Sequence, residues 1–239
     1  MNINARELDY LTLNQKIREK DGNCSITECL GQRFIGAGMS GRQIEISGIP
    51  GNAMGAYLNG AEITVKGNAQ DAVGDTMNNG KIVIQGSVGD AVGYAMRGGE
   101  IYIKDNAGYR AGIHMKEYKE KKPVMVIGGC TGSFLGEYQA GGLIIILGMN
   151  KGQKPTVGNF PCTGMHGGKV FLRGDLNGVS LPKQVSSREA TPEDINEIQP
   201  YIDEYCRLFG FEQEKIMSEK FTVIFPDSKN PYKQMYVQN

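Results

Sequence analysis

GAYLNGAEITVKG (Gly55–Gly67) returns nineteen residues later as GDTMNNGKIVIQG (Gly74–Gly86), and this return decides the fold. Upstream, GAGMSGRQIEISG (Gly36–Gly48) keeps the same register, and downstream so does GYAMRGGEIYIKD (Gly93–Asp105). Gly36, Gly55, Gly74, Gly93 and Gly112 stand 19 residues apart. Gly136 follows after 24 residues, and Cys162 takes the equivalent place after 26 more. The spacing predicts about seven turns, with insertions in the fifth and the seventh. A fixed period of this size is the signature of a solenoid, in which each repeat covers only its neighbours.

The columns of the repeat give its interior. One runs Ile44, Ile63, Ile82, Ile101, Val124, Ile144, Val170; another, two residues on, runs Ile46, Val65, Ile84, Ile103, Val126, Ile146, Leu172. Apolar columns two apart form one buried strand face, because side chains alternate in direction. The residues between them begin polar (Glu45, Thr64) and become apolar (Ile145, Phe171), which predicts a bare flank on early turns and a covered one on later turns. A third column, Met39, Leu58, Met77, Met96, Met115, Gln139, Met165, reads as core at a corner of the coil. A 19-residue coil suits three short strands joined by three turns, with glycines at the corners. Coils stacked at roughly 4.8 Å would give a rod on the order of 35 Å long. Parallel coiling is right-handed by default, and the six-residue unit of left-handed β-helices is absent. The expected fold is an all-β solenoid. It is a right-handed parallel β-helix of about seven coils over 31–178, with a capping helix in 1–30 and a small α+β extension in 179–239.

Composition sets the bounds. The 239 residues include 34 Gly and no Trp, and 26 basic residues balance 26 acidic ones. Nothing in that balance argues for nucleic acid or an anionic membrane surface. No apolar run is long enough to span a bilayer, and MNINARELDY lacks the apolar core of a signal peptide, so a cytoplasmic protein is expected. The five cysteines (Cys24, Cys29, Cys130, Cys162, Cys206) are odd in number and scattered, as suits reduced thiols.

The flanks differ in kind from the repeat. DYLTLNQKIREK (9–20) predicts a helix capped by Asp9, with Tyr10, Leu13 and Ile17 on one face and Gly22 as its stop. Thr191-Pro192 is a strong helix start, and that helix should reach about Leu208 with a bend or break at Pro200. FTVIF (221–225) reads as a strand followed by an extended tail. The C-terminal region carries Tyr201, Tyr205, Phe209, Phe211, Tyr232 and Tyr236, which serve either an interface or a cover for the last coil.

Chemistry-bearing motifs are few. GAGMSG (36–41) fits G-x-G-x-x-G, but the following RQIEIS alternates like a strand, whereas a dinucleotide fingerprint must open a helix. His114 and His166 occupy different columns about two turns apart, so no shared metal site is expected. Cys162 and His166 are a conceivable nucleophile pair, but Cys162 stands at the repeat's glycine position and the structural role is favoured. No G-x-S-x-G, P-loop or H-x-x-x-H occurs, and residue 2 is Asn, not an amidotransferase nucleophile. The insertions KEYKEKK (116–122) and NKGQKPT (150–156) leave the repeat between turns. They are solvated loops or partner contacts, through Lys116, Lys119, Lys121, Lys122, Lys151 and Lys154.

With this register in place, GQRFIGAGMSG, PGNAMGAYLNGAEITVKGNAQDAVGDTMNNGKIVIQG, GYAMRGGEIYI, AGIHMKEYK and CTGMHGGKVFLRG resemble the GXGXG domain of glutamate synthase over roughly residues 3–180. The likeness is closest to the stand-alone form found where that enzyme is split into subunits. It implies a right-handed β-helix and an architectural role. The glutamine-dependent chemistry would then belong to partners, a glutaminase-type subunit and a synthase-type subunit carrying FMN and an iron–sulfur cluster. No cofactor or metal is expected on this chain, nor a nucleic-acid or membrane partner, while self-association stays open. The alternatives are a subunit of a related amidotransferase, of a glutamate N-methyltransferase or of a formylmethanofuran dehydrogenase-like complex, and an independent hydrolase using Cys162 and His166.

Overall fold

The computed structural model describes residues 1–19 and 22–227. Eleven strands form one sheet in the order β1-β2-β3-β4-β5-β6-β7-β8-β9-β11-β10. The parallel run is β1 (Asn2–Asn4), β2 (Cys24–Leu30), β3 (Gln43–Ile49), β4 (Asn59–Val65), β5 (Asn79–Ile84), β6 (Glu100–Ile103), β7 (Val124–Ile127), β8 (Ala140–Ile146) and β9 (Gly167–Arg173). Each strand is one rung of a parallel β-helix, and the ladder starts at residue 2, before the first reference glycine. Ile44, Ile63, Ile82 and Ile101 are register partners in turn, and all are buried. Stacking identical branched side chains in one column fills the interior without voids, which is why the period is so strict where no insertion falls.

Two expectations about the coil are corrected. The inner column of β7 is Met125 and Ile127, not Val124 and Val126, because Ile101 pairs with Met125 and Ile103 with Ile127. The insertion ahead of β7 shifts the repeat by five residues, since Gly112 to Gly136 spans 24 rather than 19. A one-residue slip moves every side chain of a strand to the other face, so Val124 and Val126 belong to the outer flank. The coil also has one regular strand, not three. Its second face is reduced to single bridges (Ala69 with Val88, Ala107 with Thr131, Thr131 with Val157), and its third is a stack of turns.

The flanks close the ends. Helix α1 (Tyr10–Arg18) is capped by Asp9, which accepts from the Thr12 N–H, and it buries Leu13 and Ile17 but leaves Tyr10 exposed. At the far end β11 (Phe221–Pro226) runs antiparallel to β9 and takes its free edge. An uncovered edge strand is a template for unwanted pairing. Outside β11 lies β10 (Val185–Glu189), a strand the sequence reading missed. Helix α2 (Pro192–Phe209) starts in a capping box at Thr191 and Asp194, passes Pro200 without interruption, and ends at Gly210 in the left-handed conformation. The short α3 (Gln213–Met217) follows.

Helix α2 covers the flank that turns apolar. Ile198, Ile202, Tyr205 and Cys206 recur at helical spacing and pack with Tyr102, Val126, Ile145 and Phe171. Tyr205 is fully buried beside Phe209 and Phe211, and its hydroxyl donates to the Lys104 carbonyl at 2.9 Å. These aromatics are therefore committed within the chain; Tyr232 and Tyr236 lie outside the described residues. Charges lace the rim of the contact. Lys169 donates to Asp194 and Glu197 at 2.8 Å each, and Lys122 to Glu197, Lys81 to Glu204 and Arg188 to Asp194 complete the row. Among the described residues no helix is long and apolar enough to cross a membrane.

Candidate contact surface

The reference glycines build the third face of the coil. In every one of the seven coils three alternate residues hold positive φ, from Phe34, Gly36 and Gly38 in the first to Phe160, Cys162 and Gly164 in the last. A non-glycine residue in this conformation costs about 1–2 kcal/mol. Hydrogen bonds between coils offset it, each contributing about 0.5–1.5 kcal/mol net. The outer two residues of the triplet donate to the next coil, as Phe34 does to Asn52 (3.0 Å) and Gly38 to Ala56 (2.8 Å). The middle one donates back, as Gly55 does to Ile35 (2.8 Å). The result is a corner whose backbone is tied in both directions along the stack.

The middle residue faces inward and the outer two face solvent. A Cβ at Gly74 would stand 2.6 Å from Ile101 Cδ1, and one at Gly112 would stand 2.4 Å from Ile144 Cδ1. Gly36, Gly55, Gly93 and Gly136 hold the same place. Cys162 holds this place in the last coil, where β9 is followed by antiparallel β11 instead of a further coil of the repeat. Its thiol is fully buried, and burial pushes its pKa up to about 12. His166 is partly exposed and its Nδ1 lies 3.0 Å from the Gly164 carbonyl. A thiol held protonated in the core is a poor nucleophile, because the thiolate is the reactive form.

Outward, the late coils carry a strip of rings that sequence reading did not assemble. The His114 ring stacks on Tyr138 (centroids 5.1 Å apart, planes at 11°) and meets the edge of Tyr94 at 6.0 Å. Alongside, Phe134 stacks on Phe160 at 5.4 Å, and the Arg110 guanidinium lies 5.3 Å over Phe134 while reaching Glu137 at 3.4 Å. Phe160 is 62% exposed, Tyr109 55% and Tyr57 58%. Arg110, His114, Phe134, Tyr138 and Phe160 each stand two residues from a reference position, but only the turn geometry shows that those positions face out together.

The two insertions sit differently. Lys122 is tied to α2 through Glu197. Lys116, Lys119 and Lys121 are exposed, with Tyr118 and Lys121 paired across a tight turn and Lys119 over the Tyr118 ring. Lys151 and Lys154 line a cleft beside Cys130. Gly36–Gly41 forms turns that lead into strand β3, so no helix N-terminus stands behind that motif. Cys24, Cys29 and Cys206 are buried, and among the described residues no three His, Cys, Asp or Glu side chains converge as a metal site would require.

Comparison with known proteins adds two findings. A family model described as GXGXG motif matches residues 10–227. An uncharacterized protein of Methanocaldococcus jannaschii is 43% identical over 248 aligned positions, covering 98% of this chain and 95% of the relative.

Proposed function

The chain belongs to the GXGXG motif family, and on that premise we propose that it is a non-catalytic architectural subunit of a glutamate synthase-like complex. In this reading it holds a glutaminase-type subunit and an FMN- and iron–sulfur-bearing synthase-type subunit in register, so that ammonia released by one is used by the other. The cofactors belong to the partners. The thiols here do not suit a cluster, since four are buried and apart and Cys130 stands alone at the surface.

The observation that carries the reading is the aromatic strip over coils four to seven. Contiguous exposed apolar surface marks interaction sites, and aromatic residues and arginine are enriched in interface cores. The backbone beneath is cross-linked by hydrogen bonds along the stack, so the rings present a preformed surface. Preorganisation of this kind favours stable association. The test is purification of the tagged chain from its native cells, with the copurifying chains identified. A glutaminase-type chain and a flavin-containing synthase-type chain are expected, and His114→Ala/Tyr138→Ala should release them while leaving the melting temperature within a few degrees. Recovery with a methyltransferase or formylmethanofuran-type enzyme instead, or without a partner, would overturn the proposal.

A further inference from the structure

A ladder of side chains runs along the corner six residues before the reference glycines. Asn68 Oδ1 accepts the Ser87 N–H at 2.8 Å, Ser87 Oγ accepts that of Asn106 at 3.2 Å, and Asn106 Oδ1 accepts that of Cys130 at 2.8 Å. At Cys130 the ladder stops. The next rung is pushed away by the insertion of the seventh coil, and the thiol faces Asn150 Oδ1 at 3.9 Å instead of a backbone N–H. The gap between ladder and insertion is a cleft of about 500 Å³.

The lining of this cleft is chemically one-sided. It is lined by Lys151 and Lys154, by Asn106, Asn150 and Asn159 and by Cys130, and by no acidic residue. The Asn106 oxygen accepts the Cys130 N–H, and its amide also carries two N–H donors. Asn150 Oδ1 is likewise turned to the thiol. Neither lysine forms an ion pair within 4.0 Å among the described residues, whereas Lys81, Lys122 and Lys169 all do, although the Lys151 ammonium lies over Gly174 with the Glu219 carboxylate nearby. Asp175 lies in an adjoining groove that the same two lysines help to line. Both lysines act on Cys130, favouring its thiolate, against burial, which is larger and raises its pKa.

We propose that this cleft is a binding site for a small oxyanion of double charge, a phosphate or a dicarboxylate, held by Lys151 and Lys154 and oriented by the asparagine amides. Two lysines and three asparagines lining one cleft, with no acid in its lining, match anionic oxygens, and a concave surface focuses their field. The site is independent of the aromatic strip and of the reading built on it.

Cys130 makes the site measurable. It is the one cysteine among the five that is not buried, so on the full chain it can be alkylated with iodoacetate, an anion, and with neutral iodoacetamide. Cys130→Ser identifies the labelled position. The ratio of the two rates reads the local field, because thiol pKa affects both reagents alike. Lys151→Gln/Lys154→Gln is expected to lower that ratio about tenfold. Inorganic phosphate or malonate should slow labelling of the wild type by either reagent about fivefold or more, relative to sodium chloride of equal ionic strength. That protection should disappear in the double variant. Protection by phosphate alone assigns a phosphate ligand, and by malonate alone a dicarboxylate. If neither anion protects beyond chloride, or protection persists undiminished in the double variant, the proposal is wrong. Lys154→Gln alone, at an exposed position, serves the same comparison if the double variant does not fold.

Discussion

Replacing Gly74 by alanine tests the account of the repeat at its centre. Gly74 has φ +69°, and its neighbours two residues away, Ala72 and Thr76, hold φ of 55° and 51° with side chains. Left-handed backbone is therefore accepted at this corner. What sets Gly74 apart is that an added Cβ would point inward, 2.6 Å from Ile101 Cδ1 and 3.5 Å from Ile82 Cδ1. Ile82 is held between Ile63 and Ile101, and Ile101 between Ile82 and Met125, so neither branched side chain withdraws freely. Overpacking a filled core costs about 1–3 kcal/mol, and the left-handed penalty adds about 1–2, so Gly74→Ala should cost about 2–5 kcal/mol. The reverse exchange at the same φ, Ala72→Gly, relieves that penalty and loosens the unfolded chain, and it should stay within about 1 kcal/mol of wild type. Removing the clashing methyl with Ile101→Val costs about 0.5–1.5 kcal/mol alone. In the double variant it should recover part of the Gly74→Ala loss, a non-additivity expected of residues in contact. Urea unfolding midpoints of the wild type and the four variants decide the matter. If Gly74→Ala is no worse than Ala72→Gly, or if the double variant is simply additive, the glycine is there for conformation and the packing argument fails.

Three further outcomes are expected. Ile82→Asp should abolish cooperative unfolding, since Ile82 is fully buried between Ile63 and Ile101 and an unpaired charge there costs far more than the about 1.5–3 kcal/mol of the lost aliphatic burial; a melting temperature near wild type would refute it. Acid should loosen α2 first. Hydrogen bonds from Arg207 and Lys81 outweigh burial and hold Glu204 down at about 2. Burial works to raise Asp194, but bonds from Arg188, Lys169 and the Thr191 backbone outweigh it and hold that carboxyl well below the usual range. A depressed folded pKa gives stability that is present above the unfolded value and lost as pH falls through the folded one. Protection of α2 amides against hydrogen exchange, relative to the intrinsic rate at each pH, should therefore fall as pH falls from about 4.5 toward 2 before protection in β3–β5 does, and simultaneous loss would argue against it. A chain ending at Asp227 keeps β11 and the Asp227 contacts with Gln184 and Ser186, so it should melt with the full chain; if it also loses its partners, residues 228–239 belong to the interface.

Much of the molecule was legible from residues alone because a solenoid is locally determined. Each rung meets the next at a fixed separation of 19, so Ile44, Ile63, Ile82 and Ile101 announce their stacking in one dimension. Caps are local too, and Asp9 and Thr191-Pro192 gave the starts of both longer helices. The change from Glu45 and Thr64 to Ile145 and Phe171 foretold a covered flank, though not what covers it. Tertiary structure decided what depends on distance and direction. A five-residue insertion hid the true register of Met125 and Ile127, because both faces of β7 are apolar and the pattern has no polar residue to mark the outside. The antiparallel entry of β11 beside β9 joins residues 48 to 54 positions apart, and α2 reaching back to Lys81 and Lys104 joins residues more than a hundred apart. The aromatic strip and the lysine cleft also bring together residues from separate coils, the strip through the turn positions that face out and the cleft through the insertion of the seventh coil.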